Sequence, residues 1–343
     1  MQSLDEVLKQ RNPTVWITKL LILMNVAVFI AMLLGGAGFW HSPNGIQLNW
    51  GANFGPATQD GEWWRLATAM FLHFGVVHLL LNTWSLWDAG QIVERMYGHA
   101  RFLAIYLISG LVGNLVSLVF QGNSAVSGGA SGAIFGIFGA LLTFLWRERG
   151  AISLREFRWL FWGALGFAIA TIVMGFIVPG IDNSAHIGGF IAGILASIVL
   201  AKSLHLPIWP IKIPVAAASV LLIIIVALIT NIPSPKYRWS EEILLRQQIS
   251  DFLYEDQTIN RSWLEVIHET KTGKKTPAEL ALQINLTISE PYEKSFEKLS
   301  KLPSSENLPS SIQLEGIIDY IKVRKHESQS LVESLKQHEV KEN

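Results

Sequence analysis

Apolar runs of about 16–20 residues recur along the first two thirds of the chain, near 16–34, 77–93, 102–120, 131–146, 160–177, 185–201 and 214–230. A bilayer core of ~30 Å needs about 20 helical residues at 1.5 Å each, so the pattern predicts seven membrane-spanning helices. The first run follows a mixed-charge arm and lacks a small-residue cleavage site, which predicts a retained helix and not a removed signal peptide. From residue 234 onward charged and apolar positions mix as in a soluble helical segment. There Thr276-Pro277-Ala278-Glu279 combines an N-cap, an N1 proline and a capping-box glutamate. The stretches 240–254 and 312–335 also space apolar residues helically, and Pro303, Ser304, Ser305 and Pro309 mark a join. The expected organisation is an arm at 1–15, a six-helix core at 16–205, a seventh membrane helix at 206–233 and a helical carboxyl-terminal domain at 234–343. That last domain is either a solvated bundle without chemistry or a module that recruits or gates substrate.

Charge sets an expected orientation. Connections 37–63, 121–130 and 178–184 contain no lysine or arginine. The intervening ones contain Arg95 and Arg101, then Arg147, Arg149, Arg155 and Arg158, then Lys202 and Lys212. The positive-inside rule makes the second set cytoplasmic, together with the amino terminus. Seven crossings then leave 234–343 outside, and the chain is expected to be an integral protein of a bacterial inner (plasma) membrane. Lysine plus arginine equals aspartate plus glutamate at 27 each, so nothing points to nucleic acid. The absence of cysteine excludes disulfides, thiolate metal sites and a cysteine nucleophile.

Polar residues inside apolar runs need a reason. The second, fourth and sixth runs all enter from the outer side, and each carries its polar residues near that end: His78 and Asn82, Ser131, and His186. His78 and Asn82 are four apart and share a helix face. The fourth run spans roughly 24 Å, so the glycine-bearing segment 121–130 before it is expected to dip below the surface within a protein surround. Gly129 there allows unusual backbone angles and close approach of another chain. Gly132 and Gly136 face the same spacing in Gly189 and Gly193, which lets two helices approach closely and would bring His186 to Ser131. A hydroxyl and an imidazole so placed form a candidate nucleophile–base pair. A serine at a helix start also serves as an N-cap, and Gly-x-Ser-x-Gly is not matched, because Ala133 stands where glycine would.

Together these residues resemble the rhomboid intramembrane serine proteases over about 50–201. The resemblance rests on Glu62-Trp63-Trp64-Arg65, on Phe71 to Asn82 with His73, His78 and Asn82, on Gly129-Ala130-Ser131-Gly132-Ala133-Ile134-Phe135-Gly136, and on Ala185-His186-Ile187-Gly188-Gly189 through Gly193. It implies an all-α membrane protein, a rhomboid-like six-helix bundle plus a seventh helix. It further implies Ser131 as nucleophile, His186 as general base without a third carboxylate, and an oxyanion site of His78, Asn82 and the Ser131 N–H. Trp64, Arg65, His73 and Glu94 are implied to be structural. Where many members have tyrosine, this chain has Phe135, which can stack on His186 but offers no hydroxyl. Implied partners are transmembrane protein substrates within the lipid bilayer, cut near the outer face at a small residue where the helix unwinds; no metal or organic cofactor is implied. Two other classes stay open at this stage: a non-catalytic scaffold or chaperone that binds transmembrane helices, and a transporter. The transporter fits less well, because no Asp, Glu, Lys or Arg stands inside the third, fourth or sixth run.

Overall fold

The computed structural model describes residues 3–202, 209–273 and 275–342, and its chain divides into two compact units, Met1–Pro235 and Lys236–Asn343. The expected boundary between 205 and 206 lies outside the described residues. Among the described residues the secondary structure is helical throughout, apart from one isolated antiparallel bridge between Asn53 and Ser127.

The amino-terminal arm holds a helix, α1 (Leu4–Arg11), closed by a Ser3–Glu6 capping box and anchored by the buried Leu4 and Leu8. Then follow α2 (Trp16–Leu34) and a connection containing α3 (Asn44–Asn49), α4 (Gly55–Gln59), α5 (Arg65–Thr68) and a 3-10 turn at Ala69–Phe71. The remaining helices of this unit are α6 (Val76–Tyr97), α7 (His99–Gln121), α8 (Ser131–Glu148), α9 (Leu154–Ile177), α10 (Asn183–Val199) and α11 (Lys212–Thr230). A helix thus forms at each of the seven apolar runs. By length and composition α2, α7, α9 and α11 are each able to cross a membrane, and α5 with its 3-10 turn and α6, bent by 91°, make a fifth candidate. The other two runs fall short of that: α10 has 17 residues, and α8 ends on Arg147 and Glu148.

Those two shorter helices lie at the centre. Almost every side chain of α8 is buried, and α6, α7, α9 and α10 pack around it. Small residues allow this. A Cβ at Gly189 would overlap the carbonyl oxygen of Gly132, one at Gly193 that of Gly136, and one at Gly139 would stand 2.5 Å from the carbonyl oxygen of Phe190. By contrast α9 and α11 expose most of their apolar side chains, Val173, Phe176, Leu222, Ile223 and Val226 among them. Faces of that extent and polarity suit lipid, which costs an apolar side chain nothing.

The second unit is a separate helical bundle of α12 (Trp239–Thr272), α13 (Pro277–Ile284), a π-helical segment Asn285–Ser289, α14 (Glu290–Leu299) and α15 (Ser311–Glu342). Its own core holds Leu245, Ile249, Phe252, Ile284, Ile288, Tyr292 and Ile321. The Thr276–Glu279 capping box forms at the start of α13. Gly273 ends α12 in the left-handed conformation (φ 65°), which favours glycine.

Candidate active site

The connection between α2 and α6 is built as a platform. Arg65, 4% exposed, donates from Nη1 to the carbonyls of Leu48 (2.7 Å) and Ala52 (3.1 Å), pairs through Nε with Glu62 at 2.5 Å and lies 4.9 Å from the Trp64 ring centroid. Two carbonyls and a carboxylate on one guanidinium fix the loop, while the Trp64 ring stays half exposed. Asn53 ties the platform to α7 by donating from Nδ2 to the Asn114 carbonyl at 2.9 Å.

The segment between α7 and α8 is held by that platform. Asn53 and Ser127 exchange two backbone hydrogen bonds of 2.9 Å, Gly55 N–H donates to Gly122 O at 2.6 Å, and Gly129 N–H donates to Ala69 O at 2.8 Å. Its backbone polar groups therefore find partners in protein, as a loop below the membrane surface requires. Gly129 has φ 141°, and a Cβ there would come within 2.9 Å of His78 Nε2 and 3.6 Å of Ser131 Oγ. Glycine is needed at this point because the His78 ring and the Ser131 hydroxyl flank it.

Ser131 is the first residue of α8, with Ala130 as N-cap. Its hydroxyl does not cap the helix, so the common structural use of a serine at this position does not apply. One turn on, the Phe135 ring stacks on the His186 ring at 4.3 Å between centroids and 9° between planes. That stack sets the imidazole beside α8, against the residue one turn after Ser131. His186 is buried, its Nδ1 has no hydrogen-bond partner, and no bond joins it to Ser131 in this resting arrangement. Such contacts commonly tighten only with substrate bound.

His78 Nδ1 accepts from the Phe74 backbone N–H at 3.5 Å, which assigns the ring proton to Nε2, the nitrogen beside Gly129. Asn82 is buried one turn further and donates from Nδ2 to the His78 carbonyl at 2.9 Å. One Nδ2 hydrogen remains for another acceptor. His73 is buried with its ring edge-on to His78, 5.1 Å between centroids. Glu94 lies elsewhere, at the far end of α6. Its carboxylate accepts from the Ile17 N–H (3.0 Å), the Thr18 N–H (2.8 Å) and hydroxyl (2.6 Å), and pairs with His99 at 2.6 Å. It thus serves the uncapped start of α2. So the structure sets Gly129 between His78 and Ser131, and Phe135, one turn after Ser131, against His186, while Arg65 and Glu94 hold loop and helix ends at a distance.

The sequence pattern did not single out Asp182. It is the N-cap of α10, one turn before His186, and accepts hydrogen bonds from Ser117, Ser127 and the Ala185 N–H. The signal was present as an i, i+4 relation to His186. Among the described residues no group of His, Cys, Asp or Glu is arranged to hold a metal ion.

Comparison with known proteins gives the family. The Rhomboid domain matches residues 60–203, a span that contains every residue gathered at the site. The rhomboid protease GluP of Bacillus subtilis is 40% identical over 199 residues, 57% of this chain and 36% of that one. RHOMBOID-like protein 5 of Arabidopsis thaliana is 39% identical over 151 residues, 41% of this chain and 45% of that one. This chain therefore spans less than half of either of these relatives. With the rhomboid protease AarA of Providencia stuartii the match is 32% over 230 residues, 61% of this chain and 81% of that protein. Similarity across four fifths of a relative, on top of a domain match that encloses the serine and the histidine, leaves no other assignment: the chain belongs to the rhomboid family.

Proposed function

We propose that this chain is an intramembrane serine protease that uses Ser131 and His186 to cut transmembrane segments of other membrane proteins near the extracytoplasmic face. The observation that carries the proposal is the stack of His186 on Phe135, one turn below a Ser131 hydroxyl that caps nothing. His186 takes the hydroxyl proton as Ser131 Oγ attacks the scissile carbonyl, then returns it to the leaving amine, and a water hydrolyses the acyl-enzyme. The oxyanion is received by His78 Nε2–H, the free Asn82 Nδ2–H and the Ser131 N–H. The substrate helix must unwind locally, because helical carbonyls are hydrogen-bonded and shielded from attack.

Residues 16–205 form the protease core in this proposal, 206–233 a seventh crossing and 234–343 a carboxyl-terminal domain. The lysine and arginine distribution supports a cytoplasmic arm at 1–15, an extracytoplasmic end after α11 and a site reached from outside, in a bacterial inner membrane. Side-specific proteolysis of intact cells tests this: the domain after residue 234 should be cut only from the outer side, and cutting only from the cytoplasm overturns the orientation.

The direct test of activity incubates the purified protein with a transmembrane substrate carrying helix-destabilising residues. Cleavage by the wild type and none by Ser131→Ala is expected, with covalent labelling of Ser131 by a serine-directed phosphonate that is lost in His186→Ala. Cleavage that persists without Ser131 removes it from the mechanism; substrate binding without cleavage by any form favours the scaffold. Asn82→Ala is expected to lower kcat by about 10²–10³-fold while KM stays nearly constant, since an oxyanion donor acts only in the transition state. An unchanged kcat places Asn82 outside the oxyanion site. Phe135→Ala is expected to cost about tenfold in kcat, the worth of one aromatic stack, and Phe135→Tyr little. Equal rates for all three forms remove the stack from catalysis.

A further inference from the structure

The base helix carries a carboxylate that a two-residue mechanism leaves unused. Asp182 Oδ1 accepts from the Ala185 N–H at 3.0 Å, and Gln121 Nε2 reaches the same oxygen at 3.4 Å. Oδ2 accepts from the Ser117 hydroxyl of α7 at 2.5 Å and from the Ser127 hydroxyl at 2.6 Å. Three stretches of chain therefore converge on one side chain: α7, the segment that leads to Ser131, and the helix that carries His186. Both serines are buried. Among the described residues the ion pairs join other groups, and neither lysine nor arginine pairs with Asp182.

Capping α10 does not require this charge, because asparagine or serine caps as well as aspartate. The half-buried Asp182 carboxylate is held by neutral donors alone, which makes its negative charge available to a neighbouring cation. His186 supplies one. It lies in the first turns of α10, where the positive end of the helix dipole opposes a cation, and its Nδ1 is buried without a partner. When the ring takes the Ser131 proton it becomes an imidazolium with no hydrogen-bonded counter-anion. Asp182 stands one turn before it, at i, i+4, and His78 faces the site from α6. The helices packed alongside add no other charge at this depth: α7 has no acidic or basic residue after Arg101, α8 none before Arg147, α9 none after Arg158 and α11 none after Lys212.

We infer that Asp182 is a positioning residue for the proposed reaction, which ties the nucleophile's loop to the base helix and balances the imidazolium of His186 through space. The inference rests on the Ser131–His186 mechanism, and the test separates the two. Asp182→Asn keeps the cap and removes the charge. Measured against wild type and Ser131→Ala on a transmembrane substrate, it is expected to lower kcat about tenfold or more with KM within about twofold. The acid limb of kcat/KM against pH should move to lower pH, because an imidazolium without its counter-charge is harder to form. Thermal stability should stay within about 3 °C. If the asparagine form does not fold, Asp182→Ser, also neutral and also a cap, is read in the same way. A wild-type pH profile and kcat in the neutral variant overturn the inference alone. So does a loss of rate that follows a loss of stability while the acid limb stays in place. Absence of any Ser131-dependent cleavage by the wild type overturns the mechanism and this inference together.

Discussion

Ser131→Ala and His186→Ala are each expected to lower kcat/KM on a transmembrane substrate by at least about 10⁴-fold, and the double variant to be no slower than either single one. The reason lies in the chemistry. Without the imidazole the hydroxyl has no acceptor for its proton, and without the hydroxyl the imidazole has nothing to activate, so the second loss removes nothing further. Whatever rate remains comes from binding and from oxyanion donors, which neither substitution touches. Ser131→Ala should keep the wild-type melting temperature, and His186→Ala should lower it by only about 2–4 °C. Ser131 caps nothing in α8, and replacing His186 removes one ring from a stack of 4.3 Å without uncapping a helix. The measurement is single-turnover cleavage of a labelled transmembrane peptide in detergent or proteoliposomes, with thermal unfolding of each variant beside it. Additive losses in the double variant show that the two residues act independently and are not a nucleophile and its base. A mild effect of His186→Ala alone leaves the serine but demands another proton acceptor.

The parts of the site that a sequence shows are those where a polar side chain interrupts an apolar run. Ser131, His186, His78 and Asn82 stand out on that ground, and the four-residue spacing of Gly132, Gly136, Gly189 and Gly193 shows how two of the runs meet. Phe135 was reached through the family resemblance and not through the pattern, and its ring stacks on that of His186. Asp182 is hidden because it sits in a short connection among turn residues, where an acid looks like any cap. Its meaning depends on Ser117 and Ser127, which lie 65 and 55 residues away. The helices α3, α4 and α5 are hidden for a related reason: they are short, and they depend on distant partners such as Arg65 on the Leu48 and Ala52 carbonyls. In α1 the Ser3–Glu6 capping box was a local signal, masked by the charges of the arm. Only 240–254 of α12 shows clear periodicity. The helix runs on to Thr272 because no glycine or proline intervenes before Gly273. Of the seven apolar runs, length and hydropathy alone qualify four helices, or five with the bent pair, among the described residues. Runs are counted by apolar content, whereas α8 is buried along nearly its whole length and α10 buries the face it turns to α7 and α8, so these two helices need not match the bilayer as lipid-facing ones do.

Gly189→Ala and Gly193→Ala are expected to be the most damaging methyl additions in the bundle. A Cβ at either position would overlap a carbonyl oxygen of α8, that of Gly132 or of Gly136. Overpacking a core costs typically about 1–3 kcal/mol, partly relieved when the obstructing side chain rotates away. Here the obstruction is helix backbone, which has no rotamer to change, so about 3 kcal/mol is expected, a fall of roughly 6 °C or more in melting temperature. Cleavage should fall further than stability alone explains, because α8 carries Ser131 and α10 carries His186, and the added methyl moves one helix off the other. The control is internal. Gly163 and Gly166 on α9 have open space where a Cβ would go, so alanine there relieves the entropy cost of glycine in a helix and should be neutral or stabilising by about 0.5–1 kcal/mol. Thermal unfolding of the four purified variants in detergent decides the matter. Wild-type stability in Gly189→Ala means that α8 and α10 do not touch backbone to backbone, and the Phe135–His186 stack then has to hold the imidazole against α8 without that contact.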